Sequence, residues 1–522
     1  MQPNTVTVDT STSPATLTYA ERFNVAVPFI DRHIDEGRGD KVVIRDNDGD
    51  TTYIQLAEGV NRAGNALAAL ELTRGDRVIL AIKDCPAFFF AFWGAIKAGF
   101  VPVPVNTLLR AGDHEFIIED SGASCVIWSP EFAQTIAPAI AMANPAHSFS
   151  TEGEDSLAER MAEASVELEA APATADADCF WLYTSGSTGT PKGAVHAHQD
   201  MVVCSQYYGV ETLGVTADDV HFSAAKLFFA YGLGNALMFP LWTGGQAVLF
   251  AGRPTPEIMA DHIERYRPTI CYAVPTLFAA QLHALETTEA DFSSLRACVS
   301  AGEPLPATLF ERWRERTSIT ILDGIGTTEI LHIFIGNRPG DAKPGTSGKI
   351  IPGYAARIVD DEDQPVTTGE VGNLMIRGDS ITSRYWNQPE RTAAAITHGW
   401  IRTGDSYSVD EGGYFTCHGR SDDMLKVGGI WVSPVEIEAR LVAHDAVLEA
   451  AVIGRADDEE LIKPEAFVIL KDAGDASDAL AEELKAFCQE ALARYKYPRW
   501  VRFVDELPKT ATGKIQRFKL RS

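Results

Sequence analysis

Tyr183-Thr184-Ser185-Gly186-Ser187-Thr188-Gly189-Thr190-Pro191-Lys192-Gly193 is the densest gathering of anion-binding residue types in the chain. It follows an apolar, strand-like run from Cys179 to Tyr183. Hydroxyls and glycines in such a loop allow backbone N–H groups to point at an anion. Thr184, Ser185, Ser187 and Thr188 add donors, Gly186 and Gly189 keep the loop open, and Lys192 adds a point charge. The spacing is not that of a Walker A loop, which needs four residues before Gly-Lys, whereas two separate Gly186 from Gly189. A plain surface turn needs fewer glycines than this.

A second group is Asp323-Gly324-Ile325-Gly326-Thr327-Thr328-Glu329, with Ser300-Ala301-Gly302-Glu303-Pro304 upstream. Each follows a short apolar run, Ile319–Leu322 and Ala297–Val299. Gly-rich strand ends on one edge of a parallel sheet are where such folds bind ligands. Glu329 is a hard oxygen donor suited to Mg²⁺ beside a phosphate. A third group is Trp400-Ile401-Arg402-Thr403-Gly404-Asp405, followed by Gly419-Arg420-Ser421-Asp422-Asp423. A carboxylate can take both hydroxyls of a ribose, and an arginine can support the sugar or a phosphate. Taken alone, Asp405 reads equally as a turn residue or a helix cap, and Lys514 in Pro508–Ile515 as a solvated charge.

The elements that must position these groups belong to a chain of 522 residues, about three to four domain lengths. Hydrophobic residues make up 45% and charged residues 22%, which excludes wholesale disorder. A net charge of -27 opposes a broad nucleic-acid footprint, yet a local nest can still hold a phosphate. The eight cysteines include no C-x-x-C pair and fit no zinc spacing, so they read as reduced core thiols of a cytoplasmic protein. Residues 1–20, rich in Thr and Ser, are expected to fray. Pro86–Val105 is apolar but interrupted by Lys97, Pro102 and Pro104, so it reads as a core helix and a buried strand, not a membrane span.

Apolar strands alternate with helical patterns, as in Arg77–Ile82, Pro86–Ala98 and Val101–Val105. The fold class expected is α/β: a large N-terminal domain of parallel α/β subdomains plus a small β-rich subdomain from about residue 355. Ala356–Val359, Gly372–Arg377 and Gly413–Cys417 are its expected strands. A small mobile α+β C-terminal domain follows, with the boundary at Arg420–Asp423, giving domains of 1–420 and 421–522. Ser433-Pro434-Val435-Glu436 has the form of a helix start with a capping box, and Leu480, Leu484, Phe487, Cys488 and Leu492 form a helical apolar stripe.

In this order the motifs resemble the adenylate-forming superfamily of acyl-CoA synthetases, adenylation domains and firefly luciferase, from about residue 20 to 522. Within it, Lys226–Asn235, Asp323–Glu329 with Leu331–Phe334, Met424–Val427 and Pro508–Leu520 resemble the benzoate–CoA ligase group. The resemblance implies an ATP-dependent aryl-acid–CoA ligase using Mg²⁺ and coenzyme A, with no nucleic-acid or membrane partner, and a homodimer. Thr184–Lys192 is similar to the loop over the ATP β- and γ-phosphates. Gly302, Glu303 and Pro304 match the adenine-lining stretch, and Asp323, Gly324 and Ile325 the next adenine-side segment. Thr328 matches the α-phosphate contact, Glu329 the Mg²⁺ ligand, Asp405 the ribose carboxylate and Arg420 its neighbour. Asp422 matches the hinge. Lys514 matches the lysine bridging carboxylate and α-phosphate. Gly428 and Gly429 match the pantetheine passage, and Lys426 a helper of thioester formation.

The acid pocket implied is Ala230, Tyr231, Gly326, His332 and Ile333, small residues beside aromatic ones. His332 on an apolar segment reads equally as a satisfied core histidine, and Phe228 and Phe229 as core. Two other readings stay open. Gly153–Leu157 superficially resembles a phosphopantetheine attachment site, which would suit a carrier-loading domain, but it lies ahead of the phosphate loop. A catalytically silent nucleotide-binding protein is opposed by the presence of Glu329, Asp405 and Lys514. The aryl acid itself, benzoate or a hydroxy- or aminobenzoate, is not legible.

Overall fold

The computed structural model describes the chain except residues 186–190, 428–429, 458–460, 494–495, 510–514 and 522, and the side chains of 185, 422, 426, 430, 431 and 518. Among the described residues the largest sheet has nine strands. Their spatial order is Lys349–Ile350, Ile333–Gly336, Ile321–Gly326, Ala297–Ala301, Ile270–Ala273, Val220–Ser223, Gln246–Val248, Val42–Arg45 and Asp50–Thr52. The inner strands run parallel and the outer ones antiparallel. A second, all-parallel sheet orders Val101–Pro104, Arg77–Ala81, Cys125–Trp128 and His147–Ser150. Val78, Ile79, Leu80 and Ala81 are all fully buried, as a parallel strand covered on both faces requires. Pro102 and Pro104 are tolerated because their strand is an edge.

The helix Pro86–Ala98 starts with proline in its first turn and stops at Gly99, whose φ of 90° forms a left-handed cap. It packs on Tyr53–Ala68, whose start is a capping box between Thr52 and Gln55. The contact depends on glycine: a Cβ on Gly94 would lie 2.7 Å from the Gly64 nitrogen and 2.8 Å from the Val60 oxygen.

The N-terminus departs from expectation. Val6–Asp9 pairs antiparallel with Thr16–Tyr19. Val6, Val8, Leu17 and Tyr19 pack against the main core, so the period-two alternation outweighs the Thr/Ser composition. The β-rich subdomain orders Ala355–Val359, Gly372–Arg377, Trp400–Val409 and Ile396–Thr397, with Phe415–Arg420 also paired to Trp400–Val409. Trp400–Val409, read from sequence only as a motif, is its central strand.

Beyond residue 424 a separate core gathers Leu425, Val432, Ile437, Leu441, Val452, Val468, Leu484 and Cys488. It lies between the helices Pro434–Val442 and Asp478–Ala491 and the strands Val447–Ala456, Ile462–Leu470 and Trp500–Phe503. Ser433 accepts from the Glu436 N–H, but the expected reciprocal half of the capping box is missing from the hydrogen bonds of the described residues. The Glu436 carboxylate instead takes the Lys496 ammonium at 2.7 Å, a stronger charge-assisted partner. No described helix is long and apolar enough to cross a membrane, and all eight cysteines are free.

Lys97, within the apolar helix, has 4% of its side chain exposed and donates to Asp31 Oδ1 at 2.6 Å and Asn61 Oδ1 at 2.7 Å. Lys97→Ala leaves Asp31 without its cation. It is expected to destabilise the N-terminal domain by about 3 kcal/mol in urea unfolding, the low end for a broken buried pair, since Asp31 keeps 28% exposure. A loss below about 1 kcal/mol would mean that the pair behaves as a surface bridge.

Candidate active site

Thr184 and Ser185 end the strand Asp178–Ser185, and Lys192 lies on the returning strand Pro191–Ala197, with Lys192 paired to Thr184. The anion-binding motif is thus the tip of an antiparallel hairpin, and its ends are strand where sequence suggested loop. Gly186, Ser187, Thr188 and Gly189 lie outside the described residues. On the far side of the hairpin, Arg384–Tyr385 pairs with Pro191–Ala197 so that Tyr385 faces Ala194. Lys192 and Ala194 share a face of the strand, which makes Tyr385 the diagonal neighbour of Lys192.

That register closes a three-membered contact. Lys192 Nζ donates to the Tyr385 hydroxyl at 2.7 Å, the Tyr385 hydroxyl donates to Glu329 Oε1 at 2.7 Å, and Lys192 Nζ lies 3.1 Å from the same oxygen. Glu329 keeps only 16% of its side chain exposed. Burial alone would raise its pKa, but the Lys192 ammonium and the Tyr385 hydroxyl overcome this and hold it below the usual glutamate value. Glu329 is therefore an ionised oxygen donor in a nearly closed cleft.

Ala297–Ala301 and Ile321–Gly326 are parallel neighbours, with Ser300 beside Asp323 and Ala301 beside Gly324. Their C-terminal ends carry Gly302-Glu303-Pro304 on one side, and Ile325, Gly326 and the 3₁₀ turn Thr328–Ile330 on the other. Gly302 has φ 96°, a left-handed turn that suits glycine. Ser300 and Asp323 are buried side by side at this edge, with the Ser300 hydroxyl and the Leu305 and Gly324 N–H groups as donors towards the Asp323 carboxyl. Polar groups at such a strand edge suit a polar ligand. Burial pushes the Asp323 carboxyl well above the usual range.

Asp405 and Arg420 face each other across Trp400–Val409 and Phe415–Arg420, so Asp405 is a strand residue and neither turn nor cap. Arg420 Nη1 donates to Asp405 Oδ1 at 3.2 Å and to the Thr403 oxygen at 3.0 Å. Gly404 has φ 75°, a left-handed turn that suits glycine, and lies against the end of the Arg420 guanidinium. Asp422 and Lys426 have described backbones, in the turn Ser421–Asp423 and the strand Leu425–Val427. Their side chains, and all of Gly428, Gly429 and Lys514, lie outside the described residues. Near them, Arg517 donates to Glu438 at 2.8 Å, and Arg521 to Asp423 at 2.5 Å.

Ala230 and Tyr231 open the short helix Ala230–Gly232, and Tyr231 donates to the Val299 oxygen at 2.9 Å. The His332 ring sits among Phe239, Tyr208 and Tyr231, with centroids 4.6, 5.3 and 5.7 Å away. Gly234 and Gly326 make room: a Cβ on Gly234 would lie 2.2 Å from the His332 ring, and one on Gly326 2.7 Å from the His332 oxygen. His332 Nε2 lies 3.1 Å from Asn235 Oδ1, and the ring also hydrogen-bonds the Tyr231 backbone. The buried, hydrogen-bonded ring fits the core reading. Burial pushes its pKa down to about 3, so the ring is neutral at pH 7. Ile333 begins the strand Ile333–Gly336 and is buried beside this aromatic cluster. Phe228 is buried and Phe229 half-buried, their rings 4.5 Å apart.

Sequence reasoning missed Tyr385, which no motif marks, and Thr382, His196 and Asp200. The last two form an i,i+4 pair straight after the anion-binding motif, a signal that was present. The arrangement provides one ionised carboxylate, one ammonium, buried polar groups at a strand edge and a cluster of aromatic rings. Among the described residues no group of three or more His, Cys, Asp or Glu can hold a metal. A divalent ion on Glu329 would need oxygens from elsewhere, as Mg²⁺ with one carboxylate and substrate phosphates does.

Comparisons with known proteins give the following matches. The AMP-binding enzyme family matches residues 31–386, and the AMP-binding enzyme C-terminal domain matches residues 436–514. A benzoate–CoA ligase of Thauera aromatica is 50% identical over 519 residues, 98% of each chain. A crystallised benzoate CoA ligase from Burkholderia xenovorans LB400 superposes with a TM-score of 0.90 at 43% identity, over 96% of this chain and 100% of that one. The anthranilate CoA ligase AuaEII, in complex with anthranoyl-AMP, superposes with a TM-score of 0.92 at 43% identity, over 96% and 97%.

Asp323 gives a pH test. A carboxyl whose folded pKa is raised contributes stability that is full below the unfolded value of about 3.9 and is lost as pH rises towards the folded one. Asp323→Asn is expected to flatten the fall in Tm of the ligand-free protein between about pH 4 and pH 8. Parallel Tm–pH curves for the two proteins would show that Asp323 ionises freely.

Proposed function

The chain belongs to the AMP-binding enzyme family, and on that premise we propose that its cleft is the active site of an ATP-dependent benzoate–CoA ligase. The reaction forms benzoyl-AMP and pyrophosphate, then benzoyl-CoA and AMP. The observation that carries this reading is the Lys192–Glu329–Tyr385 contact, three residues along the chain from the aromatic cluster around His332. The contact supplies charge for a polyphosphate, and the aromatic cluster would supply ring contacts for an aryl acid.

A carboxylate attacks an α-phosphate poorly because both are anionic. Glu329 would hold Mg²⁺, which would supply charge neutralisation between the two anions. Lys192 turns its ammonium towards the entering phosphates, which compete for it with Glu329. Ser300, Asp323 and Gly302–Pro304 receive the adenine edge, Asp405 and Arg420 the ribose, and Thr328 the α-phosphate. Ala230, Tyr231, Gly326, His332 and Ile333 orient the aromatic acid. Its carboxylate oxygen bonds to the α-phosphorus as the bond to pyrophosphate breaks. Lys514 shields the developing charge, and positioning with electrostatics suffices. Residues 423–522 then rotate about Asp422, Lys514 withdraws, and pantetheine enters past Gly428 and Gly429 with Lys426 alongside. The CoA thiolate displaces AMP at the carbonyl carbon.

A hydroxy- or aminobenzoate is the second reading, favoured by one observation: the buried, neutral His332 ring brings a polar edge into the aromatic cluster. A ring substituent that donates a hydrogen bond would meet it. A kcat/KM panel over these acids decides, and benzoate at the top is the result expected. Two finer points rest on the family resemblance: a homodimer, and a cytoplasmic location that suits eight free thiols.

Lys514→Ala is expected to slow benzoyl-adenylate formation at least ~10²–10³-fold, the loss of one transition-state donor, and to spare thioester formation from presynthesised benzoyl-AMP. Equal loss in both half-reactions would remove Lys514 from the role.

A further inference from the structure

Glu329 and Thr328 sit in a backbone segment that holds an unfavourable shape. Leu331, fully buried, has φ 75° and ψ -45°, a conformation that a bulky residue adopts only under constraint. Three consecutive carbonyls ahead of it are each held by a different partner. Thr328 O lies 2.8 Å from His196 Nε2, Glu329 O accepts from the Thr382 N–H at 2.7 Å, and Ile330 O accepts from Ser380 Oγ at 2.9 Å. His196 and Asp200 are buried, with 0% and 2% of their side chains exposed.

The imidazole is fixed on every side. A carbonyl can only accept, so the proton on Nε2 points at Thr328. Nδ1 lies 2.8 Å from Asp200 Oδ2, which the Ala197 N–H also holds, at 3.1 Å. The ring stacks on Phe180 at 5.2 Å. A polar pair this deep in an apolar layer costs free energy unless each group is satisfied, and here each is satisfied by the others and by the turn. The satisfied ring cannot serve a ligand; it serves the backbone of Thr328.

We propose that the buried Asp200–His196 pair is a positioning device that locks the Thr328–Glu329 turn in the geometry that receives Mg²⁺ and the ATP α-phosphate. The inference rests on the function proposed above. It follows the rule that charged groups must be held within a fraction of an ångström by residues behind them. Asp200 sets the ring, the ring sets Thr328, and the turn carries Glu329 towards Lys192 and Tyr385. The hairpin that bears the phosphate-loop motif is thereby coupled to the turn that bears the acid, since His196 lies on the strand of Lys192.

The test compares His196→Gln with His196→Met in the full chain. Both side chains are close to histidine in volume, and only glutamine keeps a donor for Thr328. MgATP affinity is read by calorimetry, adenylation by pyrophosphate exchange with benzoate, and the second half-reaction with presynthesised benzoyl-AMP and CoA. The methionine variant is expected to bind MgATP about fivefold more weakly and to form adenylate about 10- to 100-fold more slowly. Benzoate KM and thioester formation stay within about twofold of wild type. The glutamine variant regains MgATP affinity to within about twofold of wild type. The inference is overturned if glutamine and methionine variants bind MgATP alike, or if thioester formation falls as far as adenylation, which marks a merely structural role. Calorimetry needs no acid substrate. A wild type inactive on every aryl acid would therefore sink the functional reading while the MgATP comparison still judged the lock.

Discussion

A carboxylate kept charged where water is scarce is the constraint around which this molecule is arranged. Glu329 is almost wholly enclosed, and an enclosed carboxylate tends to take up a proton. It stays ionised because an ammonium and a phenol reach it from two other strands. Neither donor is near it in sequence. Lys192 comes from a hairpin that precedes it by more than a hundred residues, and Tyr385 from a two-residue strand well after it. The site therefore exists only when three separate segments are in register.

The rest of the fold can be read as what fixes that register. Parallel strands Ala297–Ala301 and Ile321–Gly326 bring two glycine-rich ends to one edge. The antiparallel hairpin lays Lys192 across from Thr184 and diagonal to Tyr385. Ile333–Gly336 turns back antiparallel on Ile321–Gly326 and brings His332 into an aromatic cluster. The β-rich subdomain contributes Asp405 and Arg420 on facing strands. The opposition between two anionic reactants then becomes an electrostatic problem with the charges already placed.

Much of this was legible in the chain, and for definite reasons. The Thr184–Lys192 run, the two Gly-rich strand ends and the Asp405 and Arg420 motifs are local patterns, and local patterns survive without knowledge of partners. The buried strands Arg77–Ala81 and Cys125–Trp128 announced themselves by unbroken apolar character. What was missed is non-local or finely balanced. Tyr385 carries no motif and gains its role only by strand pairing. The N-terminal hairpin was obscured by composition, although its alternation was visible. Glu436 had a capping position by sequence but found a better partner in Lys496, sixty residues away. His196 and Asp200 gain their role only through contacts that place them behind the turn.

If the enclosed, ionised Glu329 and its cations bring acid and ATP together, adenylate forms before any thiol arrives. A rapid-quench experiment with enzyme, MgATP and benzoate and no CoA measures this directly. A burst of about one pyrophosphate per active site is expected, with enzyme-bound benzoyl-AMP in equal amount. Pyrophosphate appearing only when CoA is present, or ADP and phosphate as products, would contradict it.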